Sequence, residues 1–363
     1  MRAAVTRQFG QPLVIEDLTL AAPDDHEVRV RIAAVAICGS DIHAADGAWG
    51  GELPVVYGHE AAGIVTKLGS NVTSVAAGDH VVVSLLRTCG HCFYCVSGET
   101  IHCETSFPLD NESRLRDSEG RPVGQGIGVG AFAEEVVVHE SQLAPIPRSI
   151  PFDAASLLAC GVPTGYGAVT NTARVPAGAS VAVVGVGGVG VNCLQGARAA
   201  GAKPVIAIDT NATKLVAAPR FGATHTIAAG PGLTGDVAAV TAGRGADFVF
   251  VAVGSPKAIE AAFELARPGG TLVVVGMSET GARAGFDMGY FAYTARRVVG
   301  SRMGSSNLAR DTPLLAERYM GGELLLDELI SGRFAVDNIN EAIASTRQGD
   351  AMRNVIVFEG VSS

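Results

Sequence analysis

Charged side chains are scarce in this sequence: 17% of 363 residues, with a net charge of −9. That sign gives no bulk attraction to nucleic acid or to an anionic membrane surface. No uninterrupted apolar run approaches the ~20 residues that a membrane-spanning helix needs. The start, M-R-A-A-V-T-R-Q-F-G, lacks the apolar core of roughly 7–15 residues that marks a secretory signal. The expectation is a soluble, cytoplasmic protein with no nucleic-acid or membrane partner. The seven cysteines, at 38, 89, 92, 95, 103, 160 and 193, are odd in number, which argues against a closed disulfide framework.

Apolar residues make up 48% of the chain, a globular rather than a disordered composition. At ~100–200 residues per domain, the length suggests two domains. The first ~160 residues read as short strands punctuated by Gly and Pro, such as 27–35 and 78–84. Residues 104–123 are polar and read as an irregular loop. From about Val181 the texture becomes strand–helix alternation. Strands are predicted at 181–184, 205–209, 247–251 and 271–275, with helices after the first glycine turn, at 211–222 and at 256–267. Pro219 should end or kink the second of these helices. Such alternation implies right-handed crossovers and a parallel sheet. The tail from about Ser301 mixes helix and strand and ends in a strand at 354–358.

Four of the seven cysteines crowd into 15 residues, spaced C-x2-C-x2-C-x7-C at Cys89, Cys92, Cys95 and Cys103. Thiolates so placed can converge on one ion, and a closed four-thiolate zinc site is structural rather than catalytic. An iron–sulfur cluster also takes four cysteines, and the spacing alone leaves it open. Cys38 in I-C-G-S-D-I-H, His59 in Y-G-H-E-A-A-G and Cys160 in L-L-A-C-G-V-P-T-G-Y-G are individually weak signals. Together, two thiolates and an imidazole make a three-ligand set with a fourth position free. That set is known for a catalytic zinc, with alcohol dehydrogenase as the standard example.

Residues 181–190 read V-A-V-V-G-V-G-G-V-G. Gly185, Gly187 and Gly190 form G-x-G-x-x-G directly after a strand and before a helix, and Asp209 stands 19 residues beyond Gly190. In that register the glycines admit a pyrophosphate to the helix N-terminus. Asp209 can accept hydrogen bonds from the ribose hydroxyls of NAD and would repel the 2′-phosphate of NADP. Lys214, five residues on, is within reach of the ribose.

These motifs, in this order and at these separations, resemble the zinc-containing medium-chain dehydrogenase/reductase family and its alcohol dehydrogenases over essentially the whole chain. The resemblance implies a GroES-like catalytic domain (1–161 and 301–363) carrying a structural-zinc lobe at about 84–105. A doubly wound Rossmann domain (162–300) is inserted in it, with cofactor and substrate in the cleft between them. It favours zinc in the cysteine lobe, and so two zinc ions per chain. Cys38, His59 and Cys160 would hold the catalytic ion, with Glu60 as a carboxylate beside it and Asp41 orienting His59. Ser40 would bond the alcohol oxygen and, through the cofactor ribose and His43, pass its proton to solvent. Gly188, Val189, Thr164 and Arg353 join the NAD set, and Trp49 and Leu85 line an apolar substrate pocket. Family members are dimers or tetramers, so a homo-oligomer is implied.

Several positions depart from well-known relatives. Gly39 follows the first ligand where several carry Arg or His against the pyrophosphate, a charge for which Arg353 could compensate. L-D-E-L-I near the C-terminus is similar to the class III, glutathione-dependent formaldehyde dehydrogenase branch. That branch holds its substrate carboxylate with an arginine shortly after the last lobe cysteine, where this chain has E-T-S-F with Phe107. The reading is thus hydride transfer between an alcohol and its aldehyde or ketone and NAD. An S-(hydroxymethyl)thiol dehydrogenase is the alternative within the same chemistry. A zinc-free enone or quinone reductase is disfavoured by the full ligand sets. A non-enzymatic NAD-binding redox sensor, losing lobe zinc on oxidation, is the alternative of another class. Cys193 matches no metal position and reads as core.

Overall fold

A computed structural model describes residues 1–349 and 351–360. Position 350 and the last residues of the segment 301–363 lie outside the described residues. The chain divides into two compact units, one of Met1–Cys160 with Asn307–Ser363 and one of Gly161–Ser306.

The first unit is built on two sheets. Its larger sheet runs Leu143–Pro145, His80–Val83, Glu60–Leu68, Glu27–Ala36, Arg353–Val357 and Ile330–Ala335, with Glu135–His139 also paired to Glu27–Ala36. The central strand E-V-R-V-R-I-A-A-V-A has strand neighbours on both sides, and its last five residues are all buried. That accounts for a sequence that alternates only at its start and then turns uniformly apolar. The tail therefore contributes strands to the N-terminal sheet. The core between the layers is Val- and Ala-rich, with Phe132, Ile32 and Leu115 among its largest buried side chains.

The second unit is one parallel sheet. Its spatial order is His225–Ala228, Val205–Asp209, Val181–Val184, Ala246–Val251, Ala266–Val274 and Arg297–Gly300. This is the 3-2-1-4-5-6 order of doubly wound dinucleotide-binding sheets, in which the direction of winding reverses between the first and fourth strands. Ligands of such sheets bind outside the carboxyl ends of the strands at that reversal.

The predicted helix at 211–222 divides, as Pro219 requires. An α-helix at Ala212–Ala217, capped by the Asn211 side chain, passes into a 3₁₀ turn at Ala218–Phe221. Residues 104–123 are more ordered than an irregular loop. They hold a short helix at Pro108–Asn111 and a pair of strands, Leu115–Arg116 and Pro122–Gln125. The buried Asp117 carboxylate organises that hairpin, accepting the N–H groups of Glu119 and Arg121 (both 3.0 Å) and Arg121 Nε (2.9 Å). Among the described residues no helix is long and apolar enough to cross a membrane.

Candidate active site

Strand register builds the first site. Ala36 pairs with Glu60 on one side and Val355 on the other, both antiparallel. Two residues beyond Ala36 in this register lies Cys38, flanked by the His59 and Arg353 ends of the neighbouring strands. The helix Phe152–Ser156 lies against the same strands, and the 3₁₀ turn Leu157–Ala159 ends at Cys160. The buried Ser84 hydroxyl fixes that turn by donating to the Ala159 carbonyl (2.7 Å).

One ligand atom each from Cys38, His59, Glu60 and Cys160 lies within 4.8 Å of all the others, and all four residues are buried. Asp41 stands at the third position of the helix Gly39–Ala45 and serves three donors. Its Oδ2 accepts the Cys38 N–H (3.1 Å), an N-terminal cap for the helix. Its Oδ1 accepts His59 Nδ1 (2.8 Å) and the Gly58 N–H (2.9 Å). A carboxylate bound to Nδ1 puts the His59 proton there and leaves Nε2 as a lone pair facing the other donors.

Among the described residues His59 Nε2 and both Glu60 carboxylate oxygens are buried without a hydrogen-bond partner, and only Glu60 Oε1 has an ion-pair neighbour, Arg353 Nη1 at 3.4 Å. Unpaired burial of such a group costs about 1–3 kcal/mol. A cation among two thiols, an imidazole and a carboxylate removes that cost, and the donor set suits zinc. The Cys160 hydrogen bond, opposed by burial and helped by His59 and Arg353, holds the Cys38 thiol well below its usual range. Burial pushes Glu60 up to about 8, with Arg353 pulling it back. Burial would lower His59, but Asp41 and Cys38 together outweigh it and raise the imidazole well above its usual value, so that a binding ion must displace a proton from Nε2.

The four lobe cysteines also converge, with all four sulfurs within 4.8 Å of one another. The Cys89–Cys95 and Cys92–Cys103 sulfur separations are both 3.9 Å. A single tetrahedral ion with ~2.3 Å bonds to sulfur sets those edges at about 3.8 Å. An iron–sulfur cluster spreads its thiolates over several irons and needs wider separations. The Cys89 sulfur accepts the N–H groups of Cys92 (3.2 Å) and His91 (3.5 Å). Its thiol is held at about 5, first by the Thr105 hydroxyl and, against burial, by those two N–H groups. The seventh cysteine, Cys193, belongs to neither set; it is buried in the helix Gly190–Ala199, where burial alone pushes it up to about 12.

Ser40 and His43, three apart on the helix Gly39–Ala45, share a face. His43 is exposed, and its ring lies 6.1 Å from that of Trp49. Trp49 and Leu85 are partly buried against the core of the first unit. Arg353 is buried beside Glu60, its Nη1 3.4 Å from Oε1, while its Nε and Nη2 have no hydrogen-bond partner among the described residues. Sequence reasoning set Arg353 toward a pyrophosphate and Glu60 toward a metal, and missed that they meet. Only the pairing of Arg353–Val357 with Glu27–Ala36 reveals it. Phe107 is buried edge-on to His139 (4.7 Å). Arg87, 5.8 Å from the Phe107 ring, is committed to Gln142 Oε1 (2.8 Å), the Gly128 carbonyl (2.9 Å) and Asp110.

In the second unit the glycine turn sits at the reversal point of the sheet. Gly185 has φ +84°, and a Cβ there would lie 2.4 Å from Val253 Cγ1. A Cβ on Gly190 would lie 1.8 Å from the Gly185 carbonyl oxygen. Gly187 differs, because a Cβ would meet within 4 Å only Lys214 Nζ, at 3.8 Å. Apart from the tip of Lys214, no described residue fills the space over Gly187, which fits close approach of a dinucleotide. Asp209 keeps one carboxylate oxygen on the Val186 N–H and the other on the Asn211 N–H (both 2.8 Å), each with a lone pair to spare. Thr164 is buried, its hydroxyl 3.4 Å from the Met303 sulfur.

Residues 24–148 match the family model described as the alcohol dehydrogenase GroES-like domain, and residues 188–317 that of the zinc-binding dehydrogenases. The chain is 35% identical to the putative alcohol dehydrogenase D of Mycobacterium tuberculosis, over 98% of this chain and 99% of that one. It is 36% identical to the probable S-(hydroxymethyl)glutathione dehydrogenase 1 of Schizosaccharomyces pombe, over 98% and 96%. The crystal structure of benzyl alcohol dehydrogenase from Acinetobacter calcoaceticus superposes with a TM-score of 0.91 at 29% identity, covering 98% of this chain and 99% of that one. On sequence, fold and donor chemistry together, the chain belongs to the zinc-containing alcohol dehydrogenases of the medium-chain dehydrogenase/reductase family.

Proposed function

We propose that this NAD-linked, zinc-dependent oxidoreductase interconverts an alcohol and its aldehyde or ketone at the pocket of Cys38, His59 and Cys160, and that each chain carries two zinc ions. The observation that carries the reading is the convergence of four buried donors in which, among the described residues, His59 Nε2 and Glu60 Oε2 have no hydrogen-bond partner and Glu60 Oε1 has only the Arg353 ion pair. When bound, zinc supplies Lewis acidity to the alcohol oxygen and NAD supplies the hydride acceptor. Asp41 holds His59 in the tautomer that offers Nε2 inward. Glu60, steadied by Arg353, stands beside the three ligands as a further carboxylate donor. Ser40 Oγ would accept the hydroxyl proton while giving up its own to the cofactor side, and His43, exposed one helical turn away, would release a proton to solvent as the outer member of that relay. Asp209, Lys214, Thr164, Arg353 and the turn 185–190 bind NAD, and Asp209 selects against the 2′-phosphate of NADP. The cysteine lobe holds the second, structural ion.

The substrate is an alcohol without a carboxylate handle. Phe107 stands where that branch carries its arginine, and Arg87 is committed to Gln142, the Gly128 carbonyl and Asp110, which supports this reading over the activity named for the fission-yeast relative. Trp49 and Leu85 make the pocket apolar. The working form is a homodimer or homotetramer. The edge strand Arg297–Gly300 and the 68% and 89% exposed Met288 and Tyr293 support assembly. The test is a panel of primary and secondary alcohols, benzyl alcohol and S-(hydroxymethyl)glutathione, each with NAD and with NADP. Turnover is expected with NAD on simple alcohols. Replacing Ser40 with Ala should cut it by roughly 100-fold or more while NAD still binds. A preference for the glutathione adduct or near-normal turnover of Ser40→Ala would contradict the reading.

A further inference from the structure

A fully buried polar pair lies beneath the glycine turn, on the helix Gly190–Ala199, whose other residues apart from the exposed Arg198 are apolar or glycine. Asn192 is 0% and Gln195 1% exposed. Asn192 Nδ2 donates to the Gly188 carbonyl (2.8 Å), and Gln195 Nε2 donates to Asn192 Oδ1 (3.0 Å). The first bond determines which way round the Asn192 amide sits, and the second is consistent with it. A carbonyl only accepts, so the atom facing Gly188 must be the NH₂. The Asn192 backbone N–H goes to the Val189 carbonyl (3.0 Å), which leaves the Gly188 carbonyl to the side chain.

In a trans peptide the C=O and N–H of one unit point in opposite directions. The Gly188 carbonyl and the Val189 N–H belong to the same unit. Holding the carbonyl down onto Asn192 therefore turns the Val189 N–H outward. Among the described residues nothing accepts from the N–H groups of Gly187, Gly188 or Val189. The space over Gly187 is open apart from Lys214.

We infer that Asn192, fixed by Gln195, is a positioning residue for the cofactor: it aims the Val189 N–H at the pyrophosphate of NAD. The inference rests on the assignment of the turn to that pyrophosphate. It concerns phosphate recognition alone and leaves the adenosine end untouched. A bond to an anion from a well-aimed N–H is worth about tenfold in affinity or more.

The experiment is calorimetric binding of ADP-ribose and of adenosine to the zinc-loaded protein and to Asn192→Leu, which is near in volume and has no donor. The expected result is about tenfold weaker ADP-ribose binding with adenosine binding within twofold. Equal losses for both ligands, or no loss for either, would overturn the positioning role. Wild-type protein binding ADP-ribose no better than adenosine would overturn the assignment of the turn itself. Should Asn192→Leu fail to fold, ¹⁵N-valine spectra of the wild type decide the matter. The Val189 amide signal should move markedly with ADP-ribose and little with adenosine, and an amide that ignores ADP-ribose refutes the proposal.

Discussion

Replacing Asp41 with Asn changes almost no volume and removes one charge, so its effect isolates what the carboxylate does. The carboxylate serves three N–H donors: His59 and Gly58 on Oδ1, Cys38 on Oδ2. An amide has only one oxygen. The cheaper of its two orientations keeps His59 and Gly58 and turns the NH₂ onto the Cys38 N–H, leaving at least one buried donor unpaired at a cost of about 1–3 kcal/mol. The His59 bond also loses its charge assistance, and the imidazole becomes a weaker base toward an ion. Loss of such an outer partner weakens metal binding roughly 10- to 100-fold. The assay is a chelator titration with a zinc indicator. The wild type should release zinc in two steps, and the Asn variant should shift the step belonging to the Cys38 pocket while the lobe step, an internal control, stays in place. If both steps coincide with those of the wild type, the account of Asp41 is wrong.

The two kinds of glycine in the turn should separate cleanly. Gly190→Ala forces a Cβ to within 1.8 Å of a carbonyl oxygen and should lower the Tm, by at least the ~1–3 kcal/mol typical of overpacking. Gly187→Ala should leave the Tm near the wild-type value and weaken NAD binding. Glu140, on the surface of the first unit, should contribute to acid stability. Despite partial burial it is held at about 2 by His26 and by donors from Thr73 and Ser74. Its contribution, at most about 3 kcal/mol, is full above the ordinary glutamate range and is lost as pH falls toward 2. Glu140→Gln should therefore be less stable than the wild type in urea melts at pH 6, with the difference vanishing near pH 2. A constant difference across that range would contradict the linkage. Cys95→Ser should lose the lobe ion alone, leaving one zinc per chain by metal analysis.

What was legible in the sequence follows how local each signal is. Strands 181–184 and 205–209 could be read to the residue because apolar runs there end in a glycine turn and an acid. The edge strands His225–Ala228 and Arg297–Gly300 went unseen, since their mostly exposed residues carry no buried-strand pattern. The lobe cysteines lie within 15 residues, so their convergence is a property of short turns. Cys38, His59 and Cys160 are far apart in the chain, and no spacing rule joins them. Family resemblance suggested the set, and the pairing of Ala36 with Glu60 supplies its physical basis. The meeting of Glu60 with Arg353 depends on a strand arriving from the far end of the chain. Asn192 and Gln195 did leave a trace, two amides at helical spacing in a helix whose only other polar side chain is Arg198. A polar pair there reads as ordinary helix until burial shows that it must be satisfied from within.

The central claim is that Cys38, His59 and Cys160 hold a catalytic zinc separate from the lobe ion. Metal content, NAD affinity and alcohol turnover of His59→Ala measured side by side with the wild type test it most directly. The account predicts two zinc ions per wild-type chain and one in the variant, with NAD binding preserved and turnover abolished. Two ions retained in His59→Ala, or turnover surviving the loss of one, would contradict it.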